Sequence, residues 1–157
     1  YACATSKGIC LLEFTDRKML ETEFKMVKKK LNADIIYGVN AHLDELKNQL
    51  EEYFAGTRSE FNILLDPVGT DFQKKVWEEL ALIPYGKTRS YAEQANALNN
   101  PKAIRAIAQA NGMNKISIVI PCHRVIGSDG KLTGYGGGLW RKKWLLDRES
   151  GLNSHWS

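Results

Sequence analysis

The sequence has few of the features that mark secreted or membrane proteins. Its three cysteines, Cys3, Cys10 and Cys122, are too few and too far apart for a disulfide framework, and no CxxC pair is present. No apolar run approaches the roughly 20 residues that cross a bilayer, and the start of the chain lacks the charged and apolar regions of a secretory signal. We therefore expect an intracellular, cytoplasmic protein with free thiols and no membrane partner.

Strong charge of either sign is also missing. The 157 residues carry a net charge of +4, which is compatible with a polyanionic partner but too small to indicate one. Hydrophobic residues make up 43% of the chain, enough for a buried core in one domain or two small lobes. Because the net charge does not indicate a function, the function has to be inferred from the motifs.

Residues 1–66 have the pattern of a small α/β lobe. A strand is predicted over residues 8–14, and the helix that follows has apolar residues at helical spacing: Leu20, Phe24, Val27 and Leu31. A second predicted helix ends at Gly56 and has one apolar face: Leu43, Leu46, Leu50, Tyr53 and Phe54. The lysines at positions 28–30 are interpreted as a solvated helix face. This lobe offers no candidate for chemistry.

Helix signals become sharper after residue 66. Thr70-Asp71-Phe72-Gln73 is a capping box, and it opens a predicted helix with one apolar face: Phe72, Val76, Leu80 and Ile83. A second capping box, Ser90-Tyr91-Ala92-Glu93, opens a short helix. Asn100-Pro101 then supplies an N-cap and the first residue of a helix over residues 101–111.

Two short helices joined by a tight turn are typical of a helix-turn-helix motif. On the second helix we expect Ala103, Ile104, Ile107 and Ala110 to pack inward. Lys102, Arg105 and Gln109 fall three and four residues apart on another face, which is available for DNA. An ordinary surface helix is the alternative interpretation of that polar face.

Chemistry concentrates around Cys122. Residues 116–120 form a β-branched run that predicts a buried strand ending at Pro121-Cys122-His123-Arg124. Thiolate is the nucleophile and free cysteine is mostly protonated at neutral pH, so His123 is a candidate base. Adjacent side chains on an extended segment point to opposite faces, and a water could bridge the two groups. Simple packing is the alternative for an isolated Cys-His pair.

Two features near the C-terminus bear on the same chemistry. Gly134-Tyr135-Gly136-Gly137-Gly138 predicts a flexible turn in which Tyr135 lines a pocket. A closing helix is predicted over residues 139–149, with a buried side of Trp140, Trp144, Leu145 and Leu146. Glu149 lies in its last turn, where the helix macrodipole disfavours a carboxylate. A histidine partner would explain this position, and an exposed side chain at a frayed end is the alternative.

These motifs together resemble a known family. Ile120-Pro121-Cys122-His123-Arg124-Val125 resembles the active-site motif of the O6-alkylguanine-DNA alkyltransferases, also called methylated-DNA–protein-cysteine methyltransferases. Further matches follow in the family's order and spacing: Ile83-Pro84-Tyr85-Gly86, Ser90-Tyr91, Asn100-Pro101-Lys102-Ala103, Arg105-Ala106, Asn114, Gly134-Tyr135 and Gly137-Gly138-Leu139. The resemblance is specific over about residues 68–149, roughly half of the chain.

The resemblance implies both a fold and an activity. The fold would be α/β, with a small N-terminal α/β lobe over residues 1–66. A mostly helical lobe over residues 67–157 would carry the helix-turn-helix and the reactive cysteine. The activity would be DNA repair by direct damage reversal, in which a methyl or other alkyl group moves irreversibly from O6 of guanine to Cys122. Each molecule would act once, and activity on O4-alkylthymine is left open.

The resemblance also implies the catalytic roles. Cys122 would be the alkyl acceptor, activated through a water by His123, which Glu149 would orient. Tyr91 would give a proton to the guanine ring as it leaves. Asn114 would be the hinge that ties the second helix of the helix-turn-helix, the recognition helix, to the active-site strand.

DNA recognition follows from the same resemblance. Arg105 would enter the duplex and hold the gap left by a target nucleotide that has rotated out, with its helix in the minor groove. The implied DNA contacts are completed by Lys102, Ala106, Gln109, Tyr91 and Arg124. The implied substrate pocket is formed by Tyr135, Gly136, Gly137 and the backbone around Val125. The expected partner is double-stranded DNA containing O6-alkylguanine, bound by a monomer.

Neither a metal nor a cofactor is expected. Some members of the family hold zinc in the first lobe, but here Cys3, Cys10 and His42 have no recognisable ligand spacing. Two other functions remain as alternatives: a helix-turn-helix regulator or lesion-binding protein without transfer, and a cysteine hydrolase that uses Cys122, His123 and Glu149 on an acyl substrate.

Overall fold

A computed structural model describes residues 1–151 of the chain. The chain divides into two compact units. The first comprises Tyr1–Val68 together with Lys115–Ser117, and the second comprises Gly69–Asn114 and the chain from Ile118 onward. The predicted α/β class, with a small first lobe and a mostly helical second lobe, is confirmed. The predicted boundary between residues 66 and 67 did not anticipate the short return of residues 115–117 to the first unit.

The first unit combines a two-stranded sheet with two helices. Its elements are β1 (Ala2–Ala4), β2 (Ile9–Leu12), α1 (Leu20–Leu31) and α2 (Ala41–Ala55). The two strands are antiparallel, and Ile116 adds an isolated parallel bridge to Leu12. The predicted strand over residues 8–14 is thus present as β2, whereas β1 was not predicted. Ile9 and Leu11 of β2 are fully buried and form part of the core.

The second helix of this unit shows where the predicted burial is wrong. Gly56 ends α2 with φ of 82°, in the left-handed region that glycine tolerates. Phe54, predicted to be buried, is exposed, and Gln49 is buried in its place. Gln49 Oε1 accepts a hydrogen bond from the backbone N of Asn62 at 2.8 Å, and its Nε2 donates to Asn62 O at 3.0 Å. Gln49 is therefore buried because its amide forms hydrogen bonds with the backbone of a neighbouring loop.

A buried group of charged side chains also lies in this unit. The guanidinium of Arg17 pairs with Glu13 at 2.6 Å and with Glu23 at 2.9 Å, and Ser117 Oγ donates a hydrogen bond to Glu13. Burial, followed by the hydrogen bond and charge of Glu13, raises the pKa of Glu23 to about 9. The polar residues in this group stood outside the periodic pattern, and sequence analysis missed them.

The second unit is built from four helices, a short parallel ladder and one 3₁₀ turn among its described residues. The elements are α3 (Asp71–Ala81), β3 (Arg89–Ser90), α4 (Tyr91–Ala97), α5 (Ile104–Gly112), a 3₁₀ turn (Cys122–Arg124), β4 (Val125–Ile126) and α6 (Leu139–Glu149). Strands β3 and β4 pair in parallel. Its buried apolar residues include Val76, Leu80, Ile83, Ile107 and Leu145.

The two predicted capping boxes differ in outcome. At α3 the box is complete, because Thr70 Oγ1 accepts from Gln73 N at 3.1 Å and Gln73 Oε1 accepts from Thr70 N at 3.0 Å. At α4 the structure shows the first half, in which Ser90 Oγ accepts from Glu93 N at 3.1 Å. Phe72, predicted to be buried, is exposed, and Trp77 instead packs inward and donates from Nε1 to Ala110 O at 2.9 Å.

The recognition helix begins later than predicted. Helix α5 starts at Ile104, and Ala103 occupies its N-cap position. Ala103 N donates to Asn100 O at 3.0 Å, which closes a turn over residues 100–103 with Pro101 at its second position. Proline suits that turn position as well as it suits the first turn of a helix. Ile104, predicted to pack inward, is exposed, while Ile107 and Ala110 are buried as predicted.

Residues 116–120 do not form the predicted strand, although the isoleucines of this run are buried as predicted. Ile116, Ile118 and Ile120 are all buried. Only Ile116 makes a bridge, however, and Ile118 has φ of 72°, a left-handed conformation that a β-branched residue rarely adopts. A short apolar run is compatible with a buried turn as well as with a buried strand. Cys122 therefore opens a 3₁₀ turn and does not end a strand.

The closing helix has the predicted bounds but a different buried side. Trp140, expected inside, is exposed, and Leu145 is buried as expected. Lys142 and Glu149 complete the buried stripe, at helical spacing from Leu145. Within residues 1–151 no helix has the length and apolar character needed to span a membrane.

Candidate active site

The 3₁₀ turn sets the direction of three consecutive side chains. Cys122 N donates to Ile120 O at 2.9 Å, and Arg124 N donates to Pro121 O at 3.0 Å. Because a 3₁₀ helix rotates by about 120° per residue, neighbouring side chains diverge. Cys122 is half-buried, whereas His123 and Arg124 point into the interior and are 0% and 6% exposed. The thiol is thus accessible beside a buried histidine.

His123 is paired with Glu149. Its Nε2 lies 3.0 Å from Glu149 Oε1 and 3.1 Å from Oε2, and both side chains are buried. Burial alone would raise the pKa of Glu149, but hydrogen bonds and charges from His123 and Arg124 lower it to about 2. An ionised carboxylate accepts hydrogen bonds only, so Nε2 must carry the proton. This is the histidine contact that the position of Glu149 suggested.

The other ring nitrogen of His123 is left to act as a base. Burial lowers the pKa of His123, and the opposing effect of Glu149 does not reverse this, so the imidazole is neutral at pH 7. Its Nδ1 is buried and has no hydrogen-bond partner among the described residues. With the proton fixed on Nε2, Nδ1 presents a lone pair that can take a proton from a thiol, directly or through water.

Arg124 occupies a different place from the one predicted. Its Nε donates to both oxygens of Glu149 at 3.1 and 3.0 Å, its Nη2 donates to Oε1 at 2.6 Å, and its Nη1 donates to Ile83 O at 2.6 Å. The guanidinium is therefore committed inside the protein. It holds Glu149, and the predicted contact of Arg124 with DNA remains a prediction that these internal bonds do not favour.

Asn114 connects the recognition helix to the cysteine. It follows Met113, the C-cap of α5, and is fully buried. Its Nδ2 donates to Ile120 O at 2.9 Å and to Cys122 Sγ at 3.3 Å. One amide thus fixes both the turn before the cysteine and the sulfur itself. These contacts fit the expected hinge, whose role remains a prediction.

Tyr91 and a lysine that sequence analysis missed share one acceptor. Tyr91 Oη donates to Thr133 O at 3.1 Å. Lys142 Nζ donates to the same oxygen at 3.0 Å and to Gly134 O at 3.2 Å. Lys142 lies three residues before Leu145 and seven before Glu149, so its place on the buried face of α6 could have been found from helical spacing.

The glycine turn beside these residues shows a mixed exposure. Tyr135 is half-buried, Gly136 is exposed and Gly137 is buried. Gly134 and Gly138 have φ of 56° and 93°, so the chain reverses through conformations that favour glycine. The side chain of Val125 is fully buried in β4, which leaves only its backbone to meet a ligand. The predicted role of these residues as a pocket wall remains a prediction.

The helix-turn-helix presents the predicted polar face. A reciprocal pair of hydrogen bonds at 2.8 Å joins Gln94 of α4 to Asn111 of α5 in the interior. The residues proposed to contact DNA are exposed on the other side: Lys102, Arg105, Ala106 and Gln109. Arg105 forms no ion pair with any residue that the structure describes, so its charge is available to a polyanion.

The three cysteines differ in their surroundings. Burial raises the pKa of Cys3, and burial raises the pKa of Cys10 to about 11, with smaller effects from Cys3 and Asp66. Both thiols stay protonated at neutral pH and are poor nucleophiles, in contrast to Cys122 with its neighbouring base. No group of three or more His, Cys, Asp or Glu residues within the described chain could hold a metal ion.

The fold and the site define a helix-turn-helix protein whose cysteine is placed beside a buried histidine-glutamate pair. Two family models match the chain: the DNA binding domain of 6-O-methylguanine DNA methyltransferase over residues 71–151, and its ribonuclease-like domain over residues 1–67. The chain therefore belongs to the 6-O-methylguanine DNA methyltransferase family, which confirms the resemblance drawn from its motifs.

Known relatives agree with this assignment. A methylated-DNA–protein-cysteine methyltransferase of Mycobacterium bovis is 58% identical over 102 residues, which cover 65% of this chain and 62% of the relative, less than two thirds of its length. A protein of the same name from Methanosarcina barkeri is 46% identical over 143 residues, 90% of each chain. The crystal structure of Mycobacterium tuberculosis OGT in complex with DNA matches with a TM-score of 0.80 and 40% identity, over 96% of this chain and 86% of that one.

Proposed function

We propose that this protein repairs DNA by direct damage reversal, as a methylated-DNA–protein-cysteine S-methyltransferase that moves a methyl or alkyl group from O6 of guanine to Cys122. The observation that carries the proposal is the position of the Cys122 thiol, which Asn114 holds next to the buried pair of His123 and Glu149. Family membership and the names of the relatives support the substrate class.

We propose the following reaction, which the pairing of His123 with Glu149 supports. The thiol proton passes to Nδ1 of His123 through a bridging water, and Glu149 stabilises the imidazolium that forms. Sγ of Cys122 then attacks the alkyl carbon, so that an S–C bond forms as the C–O6 bond breaks. The bonding electrons pass to the guanine ring, and Tyr91 supplies the proton that the leaving base takes up. Water does not hydrolyse the thioether, because a thiolate is a poor leaving group from an unactivated alkyl carbon, so each molecule acts once.

Access to the base requires DNA to be opened. We propose that α5 enters the minor groove, where Arg105 fills the gap left by a nucleotide rotated out of the stack, a step that costs a few kcal/mol. Lys102, Ala106 and Gln109 would contact the duplex from the same exposed face. The small side chain of Ala106 permits a close approach of the helix backbone.

The flipped base would enter a pocket in the second unit. Tyr135, Gly136 and Gly137 would line the alkyl group, and the backbone around Val125 and Cys122 would read the guanine edge. Because one chain supplies every group that this reaction uses, we also propose that the protein acts as a monomer. The need for a reduced thiol fits action inside the cell.

The decisive experiment is the intact mass of the protein after incubation with a duplex that contains one O6-methylguanine, followed by peptide mapping. We expect a gain of one CH2 unit confined to the peptide with Cys122, no gain in Cys122→Ala, and a full gain in the matched control Cys3→Ala. Binding without any gain in mass would instead make the protein a lesion-binding protein or regulator. Turnover of a small ester without DNA would favour the cysteine hydrolase.

A further inference from the structure

The first turn of α6 is bound through two side chains to the glycine turn, residues 134–138, which comes directly before it. These side chains are Trp140 and Arg141. Trp140 is 62% exposed, although tryptophan usually has most of its surface buried. Packing of the core therefore does not account for this side chain, whose contacts lie in the glycine turn.

Arg141 binds the glycine turn through hydrogen bonds. Its Nη1 donates to Gly137 O at 3.1 Å, and its backbone N donates to Gly138 O at 3.1 Å. Gly137 is buried, and it has no side chain that could hold its peptide in place. One residue of α6 therefore binds two consecutive carbonyl oxygens of the turn.

Trp140 covers the last residue of the turn. A Cβ added to Gly138 would lie 3.1 Å from Cδ1 and 3.2 Å from Nε1 of Trp140, so the edge of the indole lies directly against this glycine. Cζ of Arg141 lies 4.5 Å from the centroid of the Trp140 ring, within the range of a cation–π contact. Trp140 thus packs against the turn and also supports the guanidinium that binds Gly137 O.

These contacts restrain a segment that has little restraint of its own. Residues 136–138 are three consecutive glycines, and glycine has more backbone conformations available than any other residue. Within the turn, Gly138 N donates to Tyr135 O at 3.0 Å. Without the contacts from α6, Tyr135 and Gly137, the proposed pocket wall, would occupy several positions. The width available to an alkyl group would then vary.

We propose that Trp140 and Arg141 are specificity-determining residues, which clamp the wall of the alkyl pocket and thereby limit the size of the group that Cys122 accepts. A fixed wall excludes groups wider than the pocket, whereas a mobile wall admits them and changes little for a methyl group. Both residues act through Gly137 and Gly138, as positioning residues. The inference rests on the proposed function, which it deepens by assigning the choice between small and large alkyl groups to the first turn of α6.

The test is a competition between two duplexes of one sequence, one with O6-methylguanine and one with O6-butylguanine, both in excess over the protein. The mass of the Cys122 peptide gives the ratio of butyl to methyl adduct, which does not depend on the fraction of active protein. We expect Arg141→Met and Trp140→Ala to raise this ratio about fivefold, as for the loss of one hydrogen bond. Arg141→Lys keeps a donor and should stay closer to the wild type.

The matched control is Lys143→Met, because Lys143 is an exposed residue of the same helix and pairs with Asp147. Its ratio should equal that of the wild type. An unchanged or lower ratio in Arg141→Met and Trp140→Ala overturns the proposal. Equal losses of both transfer rates in these variants also overturn it and would make the two residues contacts to DNA. A wild type that transfers neither group would refute the proposed function itself, and the proposal would fall with it.

Hydrogen exchange tests the clamp without any alkylated guanine, and so separates its failure from a failure of transfer. We expect Arg141→Met to speed amide exchange in the peptide that contains residues 134–138, read by mass spectrometry, and Lys143→Met to leave it unchanged. Trp140 is exposed and Arg141 is half-buried, so neither substitution should unfold the protein. Equal exchange in the wild type and in Arg141→Met would mean that the turn is held without the guanidinium, and would overturn the proposal.

Discussion

The guanidinium of Arg124 binds the carboxylate of Glu149 through three hydrogen bonds, and the same carboxylate accepts the proton of His123 Nε2. Two consecutive residues therefore share one partner at the far end of α6. The same contacts keep Glu149 ionised and fix the tautomer of His123. It also makes stability and reactivity depend on the same three side chains.

Arg124→Met should destabilise the protein strongly, because it removes the cation and leaves Glu149 buried without its main partner. We expect the free energy of unfolding to fall by about 3 kcal/mol or more, measured by urea denaturation. The control is Lys143→Ala, which breaks the surface pair with Asp147 and should cost less than about 1 kcal/mol. Equal losses in the two variants would contradict the assignment of Arg124 to the interior.

Glu149→Gln should slow transfer and change its pH profile. Without the carboxylate, Nε2 of His123 is no longer forced to carry the proton, and the imidazolium loses its counter-charge. We expect at least a tenfold lower rate of alkylation at pH 7 with O6-benzylguanine, a free base that needs no opening of DNA. An unchanged pH profile would remove Glu149 from the mechanism.

The same substitution should alter stability in acid. The pKa of Glu149 is lowered in the folded state to about 2, so its contribution is present above the unfolded pKa and is lost as the pH falls towards 2. Between pH 4.5 and 2.5 the wild type should lose about 2 kcal/mol through this group. Urea midpoints across this range should decline less steeply in Glu149→Gln.

Glu23→Gln should stabilise the protein at alkaline pH. Its pKa is raised in the folded state to about 9, so stability from this group is complete below the unfolded pKa and is lost as the pH rises towards 9. Gln keeps the shape and hydrogen bonding of the protonated acid without that loss. At pH 8 to 9 we expect a higher unfolding temperature in the variant, and a lower one would mean that Glu23 is an ionised partner of Arg17.

How far the sequence predicts the structure depends on the kind of signal. Predictions of helix ends from local side-chain chemistry are confirmed: the capping box at Thr70 is complete, and α2 ends at Gly56 in a left-handed conformation. The prediction of a strand from a buried apolar run is wrong, because Ile118 is buried in a turn. Burial pattern alone does not fix backbone conformation.

In the candidate site, too, residues that belong to motifs are predictable from the sequence, whereas residues buried through tertiary contacts are not. The motifs predict that Cys122, His123 and Glu149 lie together, since their chemistry makes sense only as a set. The motifs did not place Arg124 inside the protein, because charged residues are normally assigned to the surface, and Lys142 was missed for the same reason although its helical spacing marks the buried face of α6. Their burial depends on tertiary partners, namely Glu149 and the carbonyls of residues 133 and 134.

Arg105→Ala should affect duplex DNA more than a free base. If Arg105 holds the gap left by a rotated nucleotide, its loss slows repair of O6-methylguanine in duplex DNA by about tenfold or more, from the few kcal/mol that extrusion costs. Reaction with O6-benzylguanine should be unchanged. Lys102→Ala is the matched control, expected to weaken binding mainly through the salt-dependent backbone contact. Equal losses on both substrates would argue that Arg105 does not hold the gap.

The dependence of Cys122 on α6 has a consequence during synthesis of the protein. Glu149 lies 27 residues after Cys122 in the chain, so the carboxylate that fixes the tautomer of His123 is added late in synthesis. A chain cut before Glu149 would keep the thiol, but the neighbouring imidazole and the guanidinium of Arg124 would lose their shared partner.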